Sequence, residues 1–175
     1  MKKLFALMLS LMLMLSLCGA LAEETQVTVN DALTISFPVP EGYTFNEVWY
    51  GSILYATFVP EDDAQPTMTL SLGATEEYSQ SSINDLSDEE LDTLIAASIS
   101  DFAFPTWAIS ETAHGTKLIV IDENSDYHEF AEIFTLYDGY FISVLIDPGD
   151  VEALTAEEIQ TAVDILSDMQ FSDKE

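Results

Sequence analysis

Basic side chains are almost absent from this chain. Lysine and arginine together number 4 against 32 aspartates and glutamates, which sets the formal net charge at −28. Proteins that bind nucleic acids neutralise phosphates with Lys and Arg, so this composition excludes nucleic-acid binding. Adsorption to anionic lipids is disfavoured for the same reason. The charge favours solubility, and it would attract cationic partners such as metal ions or basic peptides.

The N-terminal segment has the three parts of a secretion signal. Lys2 and Lys3 precede a nearly unbroken apolar run over residues 4–17, and Ala20-Leu21-Ala22 places small residues where a signal peptidase cleaves. The run is shorter than the roughly 20 residues that span a bilayer. We therefore predict a signal peptide over residues 1–22, secretion or a location on the exterior of the cell envelope, and no stable membrane insertion after cleavage.

Cysteine occurs once, at Cys18, inside the predicted signal. Lipidation of Cys18 is the less favoured alternative, because bulky Leu17 stands where lipoprotein signals carry a small residue. Without Cys18 the mature chain has no disulfide and no thiol chemistry, so its core alone must hold it together. No linker or repeat interrupts residues 23–175, which we predict to form a single acidic domain.

Alternation of apolar and polar residues predicts about seven strands in the mature chain. Asp138-Gly139 separates two of these segments, and this dipeptide is a strong signal for a tight β-hairpin because both residues tolerate positive φ. The predicted strands lie within residues 27–37, 52–59, 67–72, 106–112, 116–121, 127–137 and 140–146.

Two capping boxes predict helices. Ser87 with Glu90, and Thr155 with Glu158, have the spacing at which a hydroxyl and a carboxylate satisfy the free N–H groups of a helix start. Apolar residues at helical spacing follow each box and predict helices over 88–102 and 156–169. The predicted fold class is α+β: an antiparallel sheet of about six to seven strands with two main helices packed on it.

Two short stretches resemble the PsbP/Mog1-like fold family. Residues 35–43 are similar to the entry of many exported members, with the pattern Ile-x-Phe-Pro-x-Pro-x-Gly-aromatic, and residues 162–171 resemble their closing helix and terminal phenylalanine. The resemblance implies helices on the faces of a central antiparallel sheet. It also implies a function in binding, stabilising or assisting other proteins, and it assigns no functional residues.

Catalytic motifs are not readable in this sequence, and we predict that the protein is not an enzyme. A nucleophilic hydrolase needs a Ser or Cys with a histidine base, and only His114 and His128 could serve. In the predicted hairpin these histidines lie about 20 Å apart, so one zinc ion cannot bridge them. An enzyme without a readable motif remains an alternative.

Calcium is the more serious metal hypothesis, because hard cations bind clustered carboxylate and carbonyl oxygens. Asp122, Asn124 and Asp126 supply such oxygens in a predicted hairpin tip. The segment is not an EF-hand, since Tyr127 stands where that loop needs glycine and Ile133 occupies its twelfth position. These three residues are the candidate metal ligands, with calcium as the one candidate cofactor, and a calcium-responsive acidic domain is a second functional hypothesis.

Aromatic residues offer the remaining candidate surface. Trp49, Tyr50 and Trp107 could contact a peptide or sugar, although large aromatics more often fill a core or lie under a helix. Neighbouring residues on a strand point opposite ways, so one of Trp49 and Tyr50 is expected to be exposed. The leading functional prediction is a non-catalytic exported domain that binds an unknown protein, peptide or glycan, or assists an assembly.

Overall fold

A computed structural model of the chain describes most of the predicted mature domain. Its architecture is α+β, with two antiparallel sheets of seven and three strands, which confirms the predicted α+β class with a large antiparallel sheet. The predicted signal peptide lies outside the described residues. The described residues are 23–28, 33–75, 82–100, 105–112, 115–124, 129–149 and 154–173.

The larger sheet contains seven strands, numbered with the whole chain: β3 Tyr43–Tyr50, β4 Ile53–Pro60, β5 Thr67–Ala74, β6 Pro105–Glu111, β7 Lys117–Asn124, β8 Glu129–Tyr137 and β9 Tyr140–Asp147. Their order is β3-β4-β5-β9-β8-β7-β6, and every neighbouring pair is antiparallel. The predicted hairpin between β8 and β9 is confirmed, because Asp138 and Gly139 adopt φ values of 45° and 78°.

The smaller sheet corrects the expectation of one sheet. It contains β1 Glu23–Thr28, β2 Leu33–Val39 and β10 Gln170–Asp173, in the order β1-β2-β10. Both edges of β2 are occupied, since Ile35 lies between Val27 and Phe171 in the register. The strand therefore has no free edge with which to join the larger sheet.

Strand β3 was not predicted from the sequence. Asn46 and Glu47 interrupt its apolar alternation, and the strand tolerates them because it lies at an edge of the larger sheet and pairs only with β4. An edge strand has one fewer neighbour to cover its side chains, so its hydrophobic pattern is weaker.

Two α-helices lie in the described ranges, α1 Asp88–Ser98 and α2 Ala156–Ser167. Both predicted capping boxes are confirmed: the N–H of Ser87 donates to Glu90 at 2.8 Å, and that of Thr155 donates to Glu158 at 2.6 Å. Each helix ends before its predicted boundary. No helix in these ranges has the length and apolar character needed to cross a membrane.

The buried apolar residues form two separate clusters. The first joins one face of the larger sheet to residues of the smaller sheet and α2, including Phe58, Ile133, Phe37 and Ile165. The second joins the opposite face to the short 3-10 helix Ile83–Asp85 and α1. Its members are Ile83, Leu86, Leu91, Leu94, Ile95, Ile119, Ile121, Phe134 and Leu136.

Candidate functional site: the open face of the larger sheet

Exposed apolar side chains are concentrated on one face of the larger sheet. Eight large hydrophobic residues of the described chain are exposed, and the alternation of side chains along each strand places all eight on the same face as Ile119 and Ile121. We call this surface the open face. The eight residues are Val48, Tyr50, Ile53, Tyr55, Val59, Trp107, Ile109 and Leu145.

Two rows of paired residues define the open face across all seven strands. The rows follow from the strand register, because residues directly opposite one another project from the same face. The first row is Val48, Tyr55, Ser71, Ser143, Phe134, Ile119 and Ile109. The second row is Asn46, Thr57, Thr69, Leu145, Glu132, Ile121 and Trp107.

The second buried cluster covers only part of the open face. The second buried cluster includes residues of β7 and β8, such as Ile121 and Phe134, and those side chains are buried. Away from that cluster the apolar residues are exposed. Tyr50 is 69% exposed and meets Tyr55 edge to face, with ring centroids 5.7 Å apart. Trp107, on the opposite edge strand, is 46% exposed.

The structure gives the exposure of the three aromatic residues that the sequence singled out, Trp49, Tyr50 and Trp107. Trp49 packs against the first cluster while Tyr50 is exposed, which confirms that the two neighbours point to opposite faces. The expectation that Trp107 fills a core or lies under a helix is wrong. Trp107 lies on β6, an edge strand, and the second buried cluster contains no β6 residue, so nearly half of its surface stays exposed.

A chain of polar side chains crosses the centre of the open face. The hydroxyl oxygens of Ser71 and Ser143 are 2.9 Å apart, and Ser143 is only 4% exposed. The Ser143 hydroxyl hydrogen-bonds Glu132, whose strand neighbour is Leu145. Burial raises the pKa of Glu132, and the hydrogen bond from Ser143 opposes that rise in part. This half-buried carboxyl group is the most unusual ionisable group on the face.

The countercharge that a half-buried carboxylate would need is absent from the described part of the chain. Lys117 is the one basic residue there. It lies four residues along β7 from Ile121, the strand partner of Glu132, which corresponds to about 13 Å. Glu132 therefore relies on Ser143, whose own oxygen is held by Ser71.

The predicted calcium ligands fall largely outside the described residues. Asp122 lies within β7 between Thr106 and Ala131, on the face opposite the open face, and its buried Oδ1 has no hydrogen-bond partner in the described structure. Asp126 and the side chain of Asn124 are outside the described set. Among the described residues, no three His, Cys, Asp or Glu side chains converge to hold a metal ion. Calcium binding stays a prediction.

An acidic cleft of about 420 Å³ lies where the turn before β3 meets the start of α2. Glu41, Glu157 and Glu158 line it together with Tyr43. Burial and the nearby Glu158 carboxylate both raise the pKa of the Tyr43 hydroxyl. Glu158 already accepts hydrogen bonds from Thr155, so it acts as a helix cap.

Sequence reasoning did not single out Glu132, although the pattern of β8 contains a signal. The side chains of this central strand alternate between its two faces. One face carries Phe130, Glu132, Phe134 and Leu136, and the other carries Ala131, Ile133 and Thr135. A charged residue within a strand that is apolar on both faces is unusual, because a central strand is covered on both sides. His114 and His128, the two histidines weighed for catalysis, lie outside the described residues.

Comparison with known proteins assigns this chain to no family. No family model matches it, and no curated protein matches its sequence significantly.

Proposed function

We propose that the protein is an exported, non-catalytic binding domain, and that the open face is the surface on which it binds a polypeptide partner. The concentration of all eight exposed large hydrophobic residues on this one face carries the proposal. Five of the eight are neighbours on β3 and β4, where Val48 pairs with Tyr55 and Tyr50 with Ile53. Exposed apolar patches of this kind mark interaction sites on soluble domains. The PsbP/Mog1-like resemblance points the same way, toward a domain that binds or assists other proteins.

The placement of the helices accounts for the exposure. We infer that α1 and α2 pack on opposite faces of the larger sheet. The smaller sheet then joins α2 in covering the first face, and this arrangement agrees with the members of the first buried cluster. Helix α1 alone lies over the other face, where its cluster reaches β7 and β8. The outer strands β3, β4 and β6 keep their apolar side chains free for a partner.

The exposed side chains favour a polypeptide over a glycan. Sugars bind against flat aromatic rings, whereas five of the eight exposed residues are aliphatic, including Val48, Ile109 and Leu145. Aliphatic side chains complement the apolar side chains of another protein. The net charge of −28 favours a basic partner, because complementary charge speeds encounter and suppresses wrong partners.

The dimensions suit an extended segment. Outside the second cluster, strands β3, β4, β5 and β9 are three spacings of about 4.8 Å across, or about 14 Å, which an extended segment of about four residues spans. Such a segment would lie across the row from Asn46 to Leu145, next to Glu132.

Selection from a display library of random 12-residue peptides tests the proposal. We expect the purified protein to enrich peptides that combine apolar and basic residues, and the double substitution Tyr55→Ser, Leu145→Ser to abolish their binding. Ala96→Ser, an apolar-to-polar change on the exposed side of α1, is the matched control and should bind normally. Urea unfolding of each variant establishes that it is folded. Selected peptides that bind the double variant and the parent equally would refute the proposal.

Export has its own test. We expect a bacterial host to release a protein whose N-terminal residue is Glu23, and N-terminal sequencing measures this directly. Retention of residues 1–22, or a lipid attached to Cys18, would contradict export by a cleaved signal peptide.

A further inference from the structure

We infer that Glu132 is the specificity determinant of the open face, and that it binds the cationic side chain of a lysine or arginine in the partner polypeptide. This inference rests on the proposed function and goes beyond it, because it names the group that the face recognises. The geometry that carries it is a half-buried carboxyl group directly beside exposed Leu145, with no cationic side chain near it among the described residues.

The position of Glu132 is central. Its direct neighbours in the row are Leu145 on β9, which is exposed, and Ile121 on β7, which is buried. A partner segment that covered Leu145 would bring its side chains beside the Glu132 carboxylate, on the side of Glu132 that the second cluster does not cover.

The surroundings of Glu132 leave its charge uncompensated. Its hydrogen-bond donor is the hydroxyl of Ser143, and the one basic side chain of the described residues, Lys117, is at a register position about 13 Å away. A carboxylate removed from water is stabilised by an opposite charge and by further hydrogen bonds. A cationic side chain that arrives with apolar neighbours would supply both, since the neighbours exclude water and the cation donates to the carboxylate.

The serine pair prepares the carboxylate for such a cation. When the Ser143 hydroxyl donates to Glu132, its oxygen is free to accept from Ser71, which lies 2.9 Å away. This arrangement orients the Ser143 donor toward Glu132 and leaves the remaining carboxylate lone pairs for the partner. A guanidinium or ammonium group has donors alone and therefore matches this acceptor.

The test uses peptides selected on the purified protein, each with its basic residues replaced in turn by glutamine. We expect Glu132→Gln to lower the affinity for one basic peptide by roughly ten- to a hundredfold, which is the loss that removing a hydrogen bond to a charged group causes. The same variant should bind the matching glutamine peptide as the parent does, because the interaction is then already lost. Glu47→Gln removes an equal charge from the other face of the sheet and is the matched control, with binding unchanged.

The outcomes separate this inference from the proposed function. In one outcome, the Tyr55→Ser, Leu145→Ser variant no longer binds the peptides, whereas the Glu132→Gln variant binds them normally. The inferred role of Glu132 is then wrong, and the proposal that the open face binds peptides stands. If Glu47→Gln weakens binding as much as Glu132→Gln, the effect is long-range charge and the inference is also overturned. A protein that selects no peptide on this face overturns both proposals.

Discussion

Leu145 and Ile146 are adjacent on β9, and truncating each to alanine tests whether the open face is uncovered in solution. Both substitutions remove three carbon atoms from the same strand. Ile146 is 0% exposed and lies between Met68 and Ala131, whereas Leu145 is 39% exposed and lies between Thr69 and Glu132. The two variants therefore differ in burial while their chemistry is closely matched.

The expected losses follow from burial. Three buried carbons at about 0.8 kcal/mol each, together with the cavity that remains, give a loss of about 3–4 kcal/mol for Ile146→Ala. In Leu145 about three-fifths of the side chain is covered, and solvent fills the space that truncation leaves. The expected loss for Leu145→Ala is then about 1.5 kcal/mol, without a cavity contribution.

Urea unfolding measures the difference. At a typical m-value of about 2 kcal/mol/M, the midpoints of the two variants should differ by about 1 M, with equal m-values. Equal losses for Leu145→Ala and Ile146→Ala would mean that something covers Leu145 in solution, and the open face would not be open. A loss from Leu145→Ala above that from Ile146→Ala would refute the assignment of the two faces.

Three further predictions concern single groups. The raised pKa of Glu132 means that the folded protein binds more protons than the unfolded chain between pH 4.5 and that pKa, so stability falls as pH rises through this window. Glu132→Gln should therefore be more stable than the parent at pH 7, and the advantage should vanish below pH 4.5 in urea titrations at each pH; a constant advantage would contradict this. Thr155→Ala should lower the free energy of unfolding by about 1 kcal/mol through loss of the α2 cap, while Thr155→Ser keeps it. Gly139→Ala should lower the free energy of unfolding by about 1–2 kcal/mol, because the φ of 78° at this position is a left-handed conformation that disfavours any residue with a Cβ atom. Gly73→Ala, where the new Cβ would lie 3.5 Å from Ile53, should be neutral or stabilising by thermal melt, and equal effects at the two glycines would refute the argument.

Local features were predictable because their causes lie within a few residues. The caps at Ser87 and Thr155 depend on a glutamate three positions later, and both form as expected. The hairpin at Asp138-Gly139 depends on two residues that accept positive φ. The exposure of one member of the Trp49-Tyr50 pair follows from strand alternation alone.

The division into two sheets was not predictable, because it depends on residues far apart in the chain. The Ser172 hydroxyl donates to the Thr34 carbonyl across a separation of 138 residues, where β10 joins β2. No local pattern indicates that the C-terminal segment takes an edge of β2. The missed strand β3 has the same cause, since its partner β4 stabilises it in spite of the polar Asn46 and Glu47.

By itself, the sequence determined the α+β class, the acidic surface, the helix starts and the β8–β9 turn. These depend on composition and on contacts between near neighbours, which the order of residues specifies directly. Only the tertiary structure decided that Trp107 and Leu145 lie on one face with Glu132 between them. That juxtaposition requires the register of four strands and a second cluster that covers only part of the sheet, and both arise from packing between distant segments.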